Sequence, residues 1–116
     1  MLPKENRLTK KKAFDQLLKE GQAHFSQTLV LKLIKNNLSI SRFGFIISKK
    51  IAKKAVIRNK LKRRLREIIR KDISQLKGGY DIVIITKKNS GVIDKNYQFL
   101  KEEVKFLEKR AGLLKK

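Results

Sequence analysis

The chain has 116 residues, with 31 Lys and Arg against 10 Asp and Glu, a formal net charge of +21 and a pI near 10.6. That length makes one domain with a modest core, and the charge far exceeds what solubility requires, so it points to a polyanionic partner: nucleic acid or an anionic membrane. The absence of cysteine excludes disulfides and thiolate zinc sites, and a single histidine excludes paired-histidine chemistry.

Residues 1–8 read as an extended basic arm without the apolar run of a signal peptide, so the expected location is the cytoplasm. Thr9 is the expected N-cap of a first helix, with Ala13, Phe14, Leu17 and Leu18 as its apolar stripe and Gly21 as its stop. Phe14 and Leu18 share a face, and the ordinary role of such a lone aromatic is core packing. From Ala23 to Lys35 the pattern changes to strand, opening with Phe25 and placing Leu29, Leu31 and Leu33 on one side. Asn36-Asn37-Leu38-Ser39 is a turn. Phe43–Ser48 is a second strand, which pairs most simply with the first as a hairpin.

The stretch Ser48–Lys71 carries twelve Lys and Arg and one acid, Glu67. Ile57, Leu61, Leu65 and Ile68 fall at i, i+4, i+8 and i+11, the stripe of a helix pinned to a core. At about 100° per residue, Asn59, Arg63, Arg66 and Arg70 fall on the far side, with Arg58 and Lys62 at the stripe's edge. Arg58, Lys62, Arg66 and Arg70 are i, i+4 neighbours of one sign, a spacing at which like charges repel by a few tenths of a kcal/mol, about 0.2–0.5 per pair. A merely solvated face would mix signs; a polyanion cancels this repulsion.

After Asp72, Gly78-Gly79 bends the chain into Tyr80–Thr86, a strand apolar on both faces and therefore central or parallel in its sheet. Its run Ile82–Ile85 is the longest apolar one and too short to cross a bilayer. Asp94 is the expected cap of a last helix with Tyr97, Leu100, Val104 and Leu107 as its stripe, ending near Gly112. The order implies one α+β domain over 1–116, helices packed on a small mixed sheet.

Chemistry by the chain alone finds little support. The carboxylates are dispersed, Glu102, Glu103 and Glu108 read as helix surface, and His24 is expected to cap or line the sheet. Gly78-Gly79 is a turn and not a phosphate loop. The residues describe a binder. Single-stranded RNA is held by cations and aromatic faces at ~1–3 kcal/mol per stacked base, and Phe14, Phe25 and Phe43 or Phe45 are candidate platforms. Asn59, set among arginines, can donate and accept toward a phosphate or 2′-hydroxyl.

Ser48-Lys49-Lys50 followed by Ala55-Val56-x-Arg58-Asn59-x-x-Lys62-Arg63-x-x-Arg66 resembles the signature of the bacterial ribonuclease P protein component. That family carries an Arg-Asn-Arg motif; here Lys60 stands third, keeping the charge but giving up the bidentate fork. Arg7-Leu8 ahead of the Phe14 helix, Gly44, and Tyr80-Asp81-Ile82-Val83 extend the resemblance along nearly the whole chain.

The resemblance implies the small protein subunit of an endoribonuclease whose catalyst is a large RNA and which removes the 5′ leader of precursor tRNA. It implies a ribosomal-protein-S5-domain-2-like fold of order α-β-β-(β)-α-β-α, with a left-handed crossover against the usual preference. It assigns Lys49, Lys50, Lys53, Arg58, Asn59, Lys60, Lys62, Arg63 and Arg66 to the ribonuclease P RNA. Arg7, Phe14, Leu18 and Phe25 fall to the leader, in a groove between sheet and first helix; Leu18 stands where the family often has a second aromatic. Mg²⁺ is expected mainly on the RNA, with one protein per RNA. The alternatives are a ribosomal or ribosome-assembly protein and a basic helix on an anionic membrane; the latter needs a broader apolar face than this narrow stripe.

Overall fold

A computed structural model of the chain describes residues 2–115; Met1, the first residue of the expected arm, lies outside them. In chain order the elements are α1 (Lys11–Glu20), β1 (Gln22–Phe25), β2 (Leu29–Lys35), β3 (Arg42–Ile46), α2 (Ala55–Asp72), β4 (Tyr80–Thr86) and α3 (Tyr97–Arg110). The strands form one mixed sheet in the order β1-β2-β4-β3. Leu29, Leu31, Leu33, Phe43, Ile82 and Ile84 face the stripes of α2 and α3, while Val83 on the other face meets Leu8 and Leu17 of the α1 side. This is the expected α+β architecture.

β2 and β3 do not form the expected hairpin. β4 lies between them, antiparallel to β2 and parallel to β3. The reason is burial: Ile82, Val83 and Ile84 are each fully buried, and a strand apolar on both faces is stabilised most at the sheet centre. The β2–β3 connection therefore crosses the start of β4 and is fastened to it. Asn36 N–H donates to Gly79 O (3.0 Å), and Ser41 Oγ donates to Lys77 O (2.7 Å) and accepts from Tyr80 N–H (3.1 Å). A Cβ on Gly78 would lie 2.1 Å from Ser39 O, so the crossing requires glycine there. Across β3 and β4 the Arg42 guanidinium grips Asp81 through two 2.7 Å hydrogen bonds, which raise the arginine's pKa.

Several local expectations change as well. The strand segment 23–35 is two antiparallel strands, β1 and β2, broken at Ser26–Thr28. Glu103 of α3 holds that break: its Oε1 accepts from Ser26 Oγ (2.9 Å), Thr28 N–H (2.8 Å) and Thr28 Oγ1 (2.8 Å). Glu108 is likewise no surface residue but fully buried. Lys10, not Thr9, occupies the cap position of α1 and makes no side-chain cap. Asn96, not Asp94, caps α3 by accepting from Phe99 N–H at 2.9 Å, while Asp94 closes the short turn Val92–Asp94.

The arm is docked and only partly extended. Lys4–Asn6 form a 3₁₀ turn, Leu2 and Leu8 are buried, and Leu8 N–H donates to Phe43 O (2.8 Å), covering part of the free edge of β3. Ile57, expected in the stripe of α2, is 38% exposed; the helix meets the core only from Leu61 onward, and its first turn projects beyond it.

Candidate nucleic-acid interface

α2 owes its cationic face to what its neighbours leave unpaired. Among the described residues the ion pairs are Arg42–Asp81 and Arg70–Glu67. Arg70 clasps Glu67 through bonds of 3.0 and 2.6 Å, which hold that carboxyl below its ordinary range, so the one acid among the helix's exposed cations is committed; the other acid of α2, Asp72, is buried. Asn59, Lys60 and Arg63 are exposed, and Lys62 and Arg66 half-buried along the flank nearest β3. No acidic partner neutralises these cations among the described residues.

Arg58 behaves differently from its neighbours. Its Nη1 donates to Ala52 O (2.8 Å) and Lys53 O (2.7 Å), tying the start of α2 to the loop before it. Ile51 N–H donates to Ser48 O and Lys50 N–H to Ser48 Oγ, each at 3.0 Å. With Ala52 buried beneath, this loop lifts exposed Lys49, Lys50 and Lys53 beside the helix. The sequence places Arg58 in the cation row; the structure shows it also positioning three other cations.

A second part of the surface opens between the arm, β3 and α2. There a cavity of about 420 Å³ is lined by Arg7, Phe14 and Gly44 on one side and Lys62 and Arg66 on the other. Phe14 packs closely on Gly44, where a Cβ would come within 2.4 Å of its Cζ. Arg7 is held by its Nε, which donates to Leu2 O at 2.9 Å. Four of the predicted residues, on the arm, α1 and α2, thus share one space, joining the cationic helix to the far face of the sheet.

On that face the register sets Phe25, Val30, Ile85 and Ile46 side by side across the four strands. Phe25 is 60% exposed with Lys87 Nζ 6.0 Å above its ring. Leu18 is exposed one helical turn beyond Phe14, and Lys32 Nζ donates to its carbonyl at 2.9 Å. Of the other aromatic candidates, Phe43 is buried, while Phe45 is half-buried against the core on the α2 side of the sheet and lines the same cavity as Phe14. Val30, Ile46, Ile85, Lys32 and Lys87 do not stand out in the sequence as surface groups. Strand alternation around Leu29 and Leu31 is the signal for Val30 and Lys32; the rest needs the strand order.

The family profile described as Ribonuclease P matches residues 2–112. The chain belongs to the ribonuclease P protein family. The ribonuclease P protein component of Clostridium botulinum strain 657 is 37% identical over 111 residues, covering 95% of this chain and 97% of that one. That of Pseudanabaena is 38% identical over 116 residues, with 98% and 97% covered. Among solved structures, the RNase P protein of Thermotoga maritima in complex with 1-(4-fluorophenyl)-2-thiourea superposes with a TM-score of 0.82 at 34% identity, covering 90% of this chain and 98% of that one. The RNase P protein of Staphylococcus aureus gives 0.85 at 25% identity, with 95% and 98% covered. Proteins of the ribonuclease P family are components of an endoribonuclease that is a ribonucleoprotein.

Proposed function

We propose that this chain binds the ribonuclease P RNA through the loop 48–54 and the exposed face of α2, and holds the 5′ leader of precursor tRNA between α1 and the open sheet face. The RNA subunit then cuts the leader, one protein serving one RNA in the cytoplasm. The observation that carries this reading is the convergence of Arg7, Phe14, Lys62 and Arg66 on one cavity. A chain of nucleotides there meets cations and an aromatic face together, as single-strand binding requires.

Among the described residues no group of three or more carboxylate or histidine side chains converges, whereas Mg²⁺ takes several oxygen ligands. Asp81 is committed to Arg42, Glu67 to Arg70 and Glu103 to the Ser26–Thr28 turn. Mg²⁺ is assigned to phosphates of the RNA, and the catalytic centre with it. The protein supplies charge that orders both RNAs.

Two substitutions separate the proposed surfaces. Arg63→Ala should weaken RNA-subunit binding and lower the slope of log affinity against log salt by about 1, because one phosphate fewer is neutralised. Phe14→Ala should leave that binding intact and reduce the holoenzyme's preference for precursor over mature tRNA by ~1–3 kcal/mol. Equal losses toward precursor and mature tRNA would return Phe14 to a packing role; an unchanged salt slope would remove Arg63 from the interface.

A further inference from the structure

Lys60 and Arg64 lie one turn apart on α2, about 160° around the helix from Lys62 and Arg66. They face a different cavity, of about 440 Å³, between the first half of α2 and the turn entering α3. Its cationic lining is Lys60, Arg64 and Lys95, with Asp94 the one acid; its apolar lining includes Ile57 and Ile93, 38% and 42% exposed. A neighbouring cavity of about 420 Å³ shares Lys60 and Arg64 and adds Arg63 and Tyr97. Glu67, which borders it, is bound to Arg70.

Building on the reading of this chain as an RNA-binding subunit, we propose that this cleft is a second RNA contact that receives one unstacked nucleotide of the ribonuclease P RNA. The base lies on Ile57 and Ile93, and its phosphate meets Lys60, Arg64 and Lys95.

The cleft's chemistry selects that occupant. Three cations against one carboxylate call for an anion, while two exposed isoleucines call for a flat apolar surface beside it. An unpaired nucleotide supplies both, and RNA recognition commonly works through bases splayed out of their stacks. The volume suits a small planar group and its phosphate, and is too small for a duplex. Asn96 spends its Oδ1 on Phe99 N–H, which leaves its amide NH₂ to donate to a base edge or phosphate. Lys95 Nζ sits 4.7 Å from the Phe99 ring centre, a contact that restrains this side chain. Lys60 and Arg64 thus offer the RNA subunit a contact on the flank of α2 opposite the leader cavity that Lys62 and Arg66 line.

The chain has no cysteine, so a single one can be labelled at will. Ile93→Cys, Asn59→Cys and Phe106→Cys, each carrying a photoactivatable aryl azide, are bound to the ribonuclease P RNA and irradiated. Phe106 is 48% exposed and lines neither cleft, so it sets the background. The expected result is a crosslink from Ile93 to one or a few adjacent unpaired nucleotides, a second from Asn59, and background from Phe106. A crosslink from Asn59 with Ile93 at background overturns the cleft and leaves the RNA-subunit reading standing; silence from both overturns that reading too. Lys95→Ala should weaken RNA affinity several-fold and lower the salt slope by about 1. Unchanged affinity with an unchanged slope overturns the proposed cleft.

Discussion

Arg58 shows how a residue can sit in a binding motif and act through its neighbours. Its two hydrogen bonds to Ala52 and Lys53 carbonyls hold the loop that carries Lys49, Lys50 and Lys53. Arg58→Ala should cost about 1 kcal/mol of stability, less than a fully buried charged hydrogen bond because the site is partly exposed. The sharper readout is limited trypsin digestion, which should cut the 48–54 loop faster in the variant. An unchanged cleavage rate, with a lower salt slope for RNA binding, would make Arg58 a direct phosphate ligand instead. Gly44 works in a similar way from the sheet side. A Cβ there would stand 2.6 Å or less from two atoms of the Phe14 ring, so Gly44→Ala must displace that ring. The variant should lose precursor over mature tRNA discrimination as Phe14→Ala does, measured as the ratio of the two binding constants; full retention would separate Phe14 from the leader.

Among the elements, α2 was the most legible in sequence. Its 3.6-residue period gave the buried residues Leu61, Leu65 and Ile68, and the charges followed by subtraction. The central place of β4 was legible too, because its residues are apolar on both faces. The partner of β3 was not: strand patterns give faces but carry no pairing, and the nearest strand in sequence was the wrong choice. The open row formed by Phe25, Val30, Ile85 and Ile46 was hidden for the same reason, since four strands must be ordered before it exists. Glu108 escaped notice because a glutamate near a helix end reads as solvent-facing.

That glutamate couples the last turns of α2 and α3. Glu108 and Asp72 are both buried, and Glu108 Oε1 and Oε2 and Asp72 Oδ2 have no hydrogen-bond donor. Burial, then the Asp72 carboxylate, push the Glu108 carboxyl up to about 8, against an opposing pull from Lys105. A raised folded-state pKa means that the native state holds a proton the unfolded chain releases near 4.5. The stabilising contribution is complete below that value and is lost as pH rises toward 8. Thermal unfolding of the free protein between pH 5 and pH 9 should show this decline, and Glu108→Gln, which cannot titrate, should flatten it. A wild-type midpoint independent of pH across that range would contradict the raised pKa of Glu108.

For the whole molecule, the ruling fact is a charge of +21 on 116 residues with few internal ion pairs. Such a surface repels itself until a polyanion or salt neutralises it. The fold distributes this charge unevenly: α2 leaves its cations without acidic partners along one face, while the arm, α1 and the flank of α2 enclose a cavity, and the proposal gives the first to the RNA subunit and the second to the leader. No helix among the described residues is long and apolar enough to cross a membrane. The proposed division of labour leaves bond cleavage to RNA and gives the protein the tasks of charge neutralisation and leader capture.

The measurement that tests this most directly is cleavage of a 5′-extended precursor tRNA by a bacterial ribonuclease P RNA at low Mg²⁺, with and without this protein. Stimulation that requires both the RNA subunit and the protein is the predicted result. Tight RNA binding without stimulation would contradict it and favour a role in ribosome assembly, and cleavage by the protein alone would place the catalytic centre in this chain.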